Sequence, residues 1–224
     1  MATATRPRRS AVVAVGLGSA FLFCGLSALG WGSWSGLVAH PARAALIVLT
    51  FVSTLAALAS PVNLSSGERE DVANRLIFVP TIAGMLLLFW LLPYLDRREL
   101  WTLDGDTARY LGLAILIVGS VLRIWPMFVL GHRFSGLVAI QPGHELVTKG
   151  PYRVVRHPSY LGMMLGFVGW VLVFRSSVGL AAAALGLVVL AQRIESEETL
   201  LASQFGSAYD EYRRRTWRLV PWVY

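Results

Sequence analysis

Apolar residues in this chain come in blocks. Six runs, at residues 11–31, 44–60, 76–95, 110–130, 159–174 and 177–193, are nearly free of charge, and polar residues crowd into the segments between them. Runs of about 20 apolar residues match the thickness of a bilayer. Inside lipid the backbone must satisfy its own hydrogen bonds, so each run is predicted to be an α-helix. The second and fifth runs are short. The fifth and sixth are separated only by Arg175 and two serines, which predicts a tight helical hairpin. The expected fold class is all-α, a polytopic membrane helix bundle of about six transmembrane helices. Residues 1–130 would form the N-terminal helices and residues 131–224 a polar C-terminal core.

Composition supports this. Hydrophobic residues make up 55% of the 224 and charged residues 15%, against about 25% charged in a soluble domain. Arg6, Arg8 and Arg9 precede the first run, as in a secretory signal. The run is long for a signal and lacks an A-x-A cleavage motif, so a retained first helix is expected. Basic residues outnumber acidic ones by 20 to 13. On a soluble protein that excess would suggest nucleic acid, but here the positive-inside rule accounts for it and no nucleic-acid partner is expected. With a cytoplasmic N-terminus and six spans, 14 basic residues fall inside and 5 outside, with Arg123 inside a span. Arg97, Arg98 and Arg109 fall on the outer side, mixed with Asp96, Glu99, Asp104 and Asp106. The lone cysteine, Cys24, excludes an internal disulfide and a cysteine metal cluster, and reads as a small apolar helix residue.

The N-terminal half suggests no chemistry. Residues 61–75 read as a cytoplasmic loop, and residues 96–109 as an outer loop turning at Asp104-Gly105-Asp106. Polar information concentrates after residue 130. In GPYRVVRHPSYLG, residues 150–162, Pro151 and Pro158 fix the backbone and bias their predecessors toward extended geometry. Pro158 suits the first turn of the fifth helix, with His157 near its N-cap. A helix N-terminus offers free N–H groups and partial positive charge to an anion. His157, beside Tyr160, reads as a site residue, Arg153 as an interfacial anchor and His132 as structural. After the sixth run, Arg193, Glu197, Leu200, Leu201, Gln204 and Phe205 share helical spacing, so the last helix should continue past the bilayer and end near Gly206. Arg193 and Glu197 lie on one face, paired or sharing a pocket. Glu195 and Glu198 read as a solvated face. Tyr209, Tyr212, Arg213, Arg214, Arg215, Trp217 and Trp222 read as an aromatic and basic tail at the headgroup level.

HELVTKGPYRVVRHPSYLG, followed by RIESEETLLASQFGSAYDEYRRR, resembles the isoprenylcysteine carboxyl methyltransferase family, part of a membrane group with phospholipid N-methyltransferases. The likeness covers residues 131–224. It implies a cytoplasmic pocket for S-adenosyl-L-methionine. Its walls would be His144, Glu145, Leu146, Val147, Tyr152, His157, Pro158, Ser159, Tyr160 and Glu197. Gln141 stands close to a glutamine that often precedes the HELV stretch. By the same likeness Arg193 is the catalytic residue, beside the methyl acceptor, and no metal is expected. Eukaryotic members act on a C-terminal prenylcysteine. The arginine-rich chain, whose only lysine is Lys149, points to a GC-rich bacterial genome, hence a bacterial plasma membrane with the site facing the cytoplasm.

The chemistry suits such residues. A carboxylate acceptor is anionic at neutral pH and needs no general base, so catalysis rests on positioning and electrostatics. The acceptor would be a lipophilic or lipidated molecule drawn from the bilayer, and membrane lipids the surroundings. A phospholipid amine or a small thiol is an alternative acceptor. An NADPH-dependent reductase like the sterol reductases, whose C-terminal Pro-aromatic stretch is similar to WRLVPWVY, is the second reading. A non-enzymatic membrane scaffold or sensor is the third.

Overall fold

The computed structural model describes residues 9–60, 69–70, 72–131, 139–140 and 146–224. It is built from helices at all six apolar runs: α1 (Arg9–Trp31), α3 (Pro41–Ala59), α4 (Val72–Arg97), α5 (Thr107–Leu130), α6 (Pro158–Val173) and α7 (Ser177–Phe205). Two short helices, α2 (Trp34–Val38) and α8 (Ser207–Arg215), were not anticipated. Nor was a two-residue antiparallel pairing of Arg69–Glu70 with Ala139–Ile140. Among the described residues, four helices, α1, α3, α5 and α7, are long and apolar enough to cross a membrane, while α6 has 16 residues. The chain is thus a multi-pass membrane protein.

Local sequence sets the helix ends. Pro41 opens α3 behind His40, whose Nδ1 accepts the Ala42 N–H at 3.2 Å. Ser176 caps α7 by accepting the Gly179 N–H at 3.1 Å. Helix α7 runs past the apolar stretch and stops at Gly206, where φ is +53°, as the sequence predicts.

Packing is inverted relative to a soluble protein. Large apolar side chains such as Val15, Phe21, Leu29, Val48 and Leu185 are exposed, as lipid contact requires. Small residues lie between helices. Gly112 and Gly119 of α5 face Gly162 and Gly169 of α6 so closely that a Cβ on Gly162 would lie 2.3 Å from the Arg123 backbone nitrogen. A second centre joins α1, α4 and α6, where Trp170 packs edge-to-face on Phe23 and Phe89. Cys24 is buried in this core, as expected.

One charge cluster departs from the plain outer loop expected at residues 96–109. Asp96, 2% exposed, accepts from Arg109 Nη1 at 2.6 Å and Nη2 at 2.9 Å, and from Arg175 Nε at 3.0 Å. Arg43 stands 3.7 Å away. Asp96, Arg109 and Arg43 are buried and Arg175 is half-buried, and together they fasten α3, α4, α5 and the α6–α7 turn at one end of the bundle. Exposed Asp106 bridges Arg109 and His40, each at 3.2 Å.

Candidate active site

The other end of the bundle gathers the polar segment. Residues Gly150–Arg153 form a 3₁₀ turn, and α6 starts at Pro158 with His157 as its N-cap, as the two prolines predict. Across from it, α7 carries Arg193 and Glu197 one turn apart. The two meet at a single atom of α6. The Tyr160 hydroxyl accepts from Arg193 Nε at 2.9 Å and donates to Glu197 Oε2 at 2.7 Å. The Tyr160 ring also lies 5.7 Å from the Arg193 guanidinium. His157 stacks on the other side of Tyr160, with centroids 5.7 Å apart.

Ser159 and Pro158 are buried at the helix start. The Ser159 hydroxyl accepts from Arg123 Nη1 at 2.6 Å. The sequence alone assigns Arg123 no partner. Its signal was available, because an ionisable residue inside an apolar run is expensive and commonly functional. It also lines a groove of about 510 Å³ between α1, α3, α5 and α6, together with Ser19, Thr54, Gly119, Gly162 and Met163. Arg123 thus links the two regions: it lines the groove and hydrogen-bonds Ser159 at the start of α6.

Tyr152 is buried, and its carbonyl accepts the Tyr212 hydroxyl at 2.9 Å. Burial, and then the nearby Glu197 charge, push the Tyr152 phenol well above its ordinary pKa. It remains a neutral donor at any physiological pH. Leu146 and Val147 are half-buried. His144, Glu145, Gln141 and His132 lie outside the described residues.

Two expectations are corrected. Glu198 is not on a solvated face. It is 4% exposed and accepts from Arg156 Nε at 2.8 Å and Arg218 Nη2 at 2.8 Å, with His157 Nε2 at 3.2 Å. Glu195, by contrast, is exposed as expected. The reason is helix geometry. Glu195 and Glu198 are only three positions apart, but α8 and the tail fold back over the face that carries Glu198 and leave Glu195 uncovered. The tail likewise does not lie wholly at the surface. Tyr209 and Tyr212 are buried, and residues 217–218 hydrogen-bond to residues 154–157. Arg213, Arg214, Arg215, Trp217 and Trp222 are exposed.

A bundle of apolar helices with a polar, arginine-rich site at one end defines an intramembrane enzyme-like architecture in which a polar ligand and a lipophilic one can meet. Residues 111–203 match the model of the isoprenylcysteine carboxyl methyltransferase (ICMT) family. Protein-S-isoprenylcysteine O-methyltransferase B of Arabidopsis thaliana is 37% identical over 117 residues, covering 50% of this chain and 58% of that protein. The probable protein-S-isoprenylcysteine O-methyltransferase of Oryza sativa subsp. japonica is 27% identical over 155 residues, covering 68% and 78%. The Homo sapiens protein-S-isoprenylcysteine O-methyltransferase is 33% identical over 115 residues, covering 50% and 40%. The chain thus spans a little over half the length of the first of these relatives. A solved structure of the eukaryotic intramembrane Ras methyltransferase ICMT aligns with a TM-score of 0.62 at 23% identity, covering 95% of this chain and 77% of that one. That likeness extends the shared fold to the N-terminal helices.

Proposed function

We propose that this protein is an integral membrane methyltransferase that uses S-adenosyl-L-methionine to methylate the carboxylate of a lipophilic, isoprenylcysteine-like acceptor. The observation that carries the reading is the Arg193–Tyr160–Glu197 bridge on α6 and α7, beside a groove lined by Arg123 and by Gly162 and Met163 of the same α6.

The residues present suit the cofactor. Glu197 offers a carboxylate to a cationic amino group, and Tyr152 a neutral donor. The Tyr209 hydroxyl is fully buried and has no hydrogen-bond partner among the described residues, so a polar ligand would complete it. Glu197, Tyr160, Tyr152, and Leu146 and Val147 would hold S-adenosyl-L-methionine. When bound it would supply a sulfonium methyl group, to which an acceptor oxygen forms a C–O bond as the C–S bond breaks, yielding methyl ester and thioether with no proton transferred. The chain's own task is then orientation. Arg193 and Arg123 each present a guanidinium that can take a carboxylate through parallel N–H donors. In this reading the groove takes the apolar part of the acceptor.

The site faces the cytoplasm in this reading, and the arginine-rich composition favours a bacterial membrane. The relatives quoted above are eukaryotic proteins. The test is labelled methyl transfer to an S-farnesylcysteine analogue, total phospholipid and a small thiol, side by side, with S-adenosylhomocysteine binding measured on the same sample. Transfer to the farnesylcysteine carboxylate is expected. Binding of NADPH in place of S-adenosylhomocysteine would support the reductase reading, and transfer to phospholipid or thiol would replace the acceptor.

A further inference from the structure

Glu198 occupies an unusual position. Its neighbour Glu197 faces Tyr160, but Glu198 faces the segments that enclose Tyr160. Oε1 accepts from Arg156 Nε at 2.8 Å and meets His157 Nε2 at 3.2 Å. Oε2 accepts from Arg218 Nε at 3.1 Å and Nη2 at 2.8 Å. One carboxylate thus satisfies groups from α6's leading segment and from the C-terminal tail. With Nε2 turned to a carboxylate, His157 donates from that nitrogen, which fixes the plane of the ring that stacks on Tyr160.

The tail lies along the segment that leads into α6. Its backbone joins residues 154–157 by three hydrogen bonds: Trp217 N–H to the Val154 carbonyl at 2.9 Å, Arg156 N–H to the Trp217 carbonyl at 2.8 Å, and His157 N–H to the Arg218 carbonyl at 3.2 Å. Arg156 Nη1 also donates to the Thr216 and Arg213 carbonyls. So placed, Leu219 is buried on Leu190 and Ile194, and Tyr160 and Leu161 pack against the same cluster. The tail is therefore one wall around Tyr160, and Glu198 ties that wall to α7.

We infer that Glu198 is a positioning residue: with Arg218 it latches the C-terminal tail across residues 154–157, and through His157 it holds Tyr160 in register with Arg193 and Glu197. This deepens the proposed function and rests on it, because Tyr160 and Glu197 are assigned there to the cofactor. Glu198 itself touches neither cofactor nor acceptor. Its loss is expressed as a poorer cofactor site, with the acceptor groove beside Arg123 unchanged.

The test uses the full chain in detergent or nanodiscs with Glu198→Gln, Arg218→Gln and Arg218→Lys. Arg218 is a quarter exposed, so its variants fold even if Glu198→Gln does not. Glu198→Gln and Arg218→Gln should raise KM for S-adenosylmethionine about 10-fold, the loss of a charged hydrogen bond. Acceptor KM should stay put, and Arg218→Lys should recover most of the loss. Amide exchange should quicken at Arg156, His157 and Trp217, and at Tyr160 and Leu161, whose N–H groups bond the His157 carbonyl. Faster exchange at Trp217 with an unmoved cofactor KM would overturn the proposal, as would a raised KM with unmoved exchange, which would put Glu198 in direct contact with the cofactor. Failure of the unmodified protein to bind S-adenosylhomocysteine would remove the functional reading instead. The latch would then be decided by exchange alone: it stands if Arg218→Gln quickens Tyr160 and Leu161 together with Trp217, and falls if only Trp217 responds.

Discussion

Replacing Tyr160 by phenylalanine removes one oxygen and little else. That oxygen is the meeting point of the site, accepting from Arg193 Nε at 2.9 Å and donating to Glu197 Oε2 at 2.7 Å. The ring survives in place, stacked on His157 and beneath the Arg193 guanidinium. What is lost is a pair of hydrogen bonds to charged groups, each worth about 1.5–3 kcal/mol. The loss of one such interaction in the reacting geometry corresponds to roughly 10- to 150-fold in kcat/KM. Losing both would not double that figure, because the two bonds share one hydroxyl and their energies are not additive. The assay is methyl-transfer kinetics and S-adenosylhomocysteine affinity on one preparation, with a thermal transition as the check on folding. A Tyr160→Phe protein with kcat/KM within threefold of the unmodified enzyme would refute the bridge as the organiser of the site.

Three further outcomes are expected. Arg193→Lys should keep charge but lose the planar fork, so turnover falls sharply while S-adenosylhomocysteine affinity stays; parallel loss of both would move Arg193 into the cofactor pocket. Gly162→Ala should cost about 1–3 kcal/mol of stability, because its Cβ would meet backbone 2.3 Å away, whereas Gly84→Ala, with nothing within 4 Å, should leave the thermal transition in place. Reporter fusions at residue 105 should read as outside the cytoplasm and at residue 145 as inside; an inside signal at 105 would overturn the topology.

The helices were legible because hydropathy is a property of consecutive residues. All six apolar runs became helices, and Pro158, Gly206 and the serines at 176–177 marked ends correctly. Among the site residues, Arg193, Glu197 and Tyr160 come together in space, as their spacing on two neighbouring helices allowed. What escaped was set by folding back. Glu195 and Glu198 are chemically alike in the sequence, and only the return of the tail buries one of them. Tyr209 and Tyr212 looked interfacial for the same reason. Arg123 escaped because a lone arginine in an apolar run does not announce its partner, and Ser159 lies 36 residues away. Asp96 and Arg109 read as loop charges in the sequence because their partners, Arg43 on α3 and Arg175 in the α6–α7 turn, are distant along the chain.

Asp96 permits a last prediction that separates stability from function. It lies at the end of the bundle away from Tyr160. Arg109 and Arg123 are 14 residues apart on α5, about 21 Å along its axis. Asp96→Asn keeps the shape and removes the charge, leaving the buried Arg109 and Arg43 and the half-buried Arg175 without their shared carboxylate. Breaking a buried ion pair from one side costs about 3–5 kcal/mol, because the surviving charges stay desolvated. In a chain of this length that corresponds to a fall of roughly 6–20 °C in the thermal transition. Asp106→Asn is the control. It removes a carboxylate that touches the same Arg109 but is 61% exposed, so solvent replaces it and the transition should hardly move. Cofactor KM should be unchanged in both proteins below their transitions. An Asp96→Asn protein as stable as the unmodified one would mean that the arginines find other acceptors, such as the Val173 carbonyl already bonded to Arg109 at 2.7 Å. A raised cofactor KM in the same protein would mean that α5 and α6 transmit the far end's order to the site, and the two clusters could no longer be treated as independent.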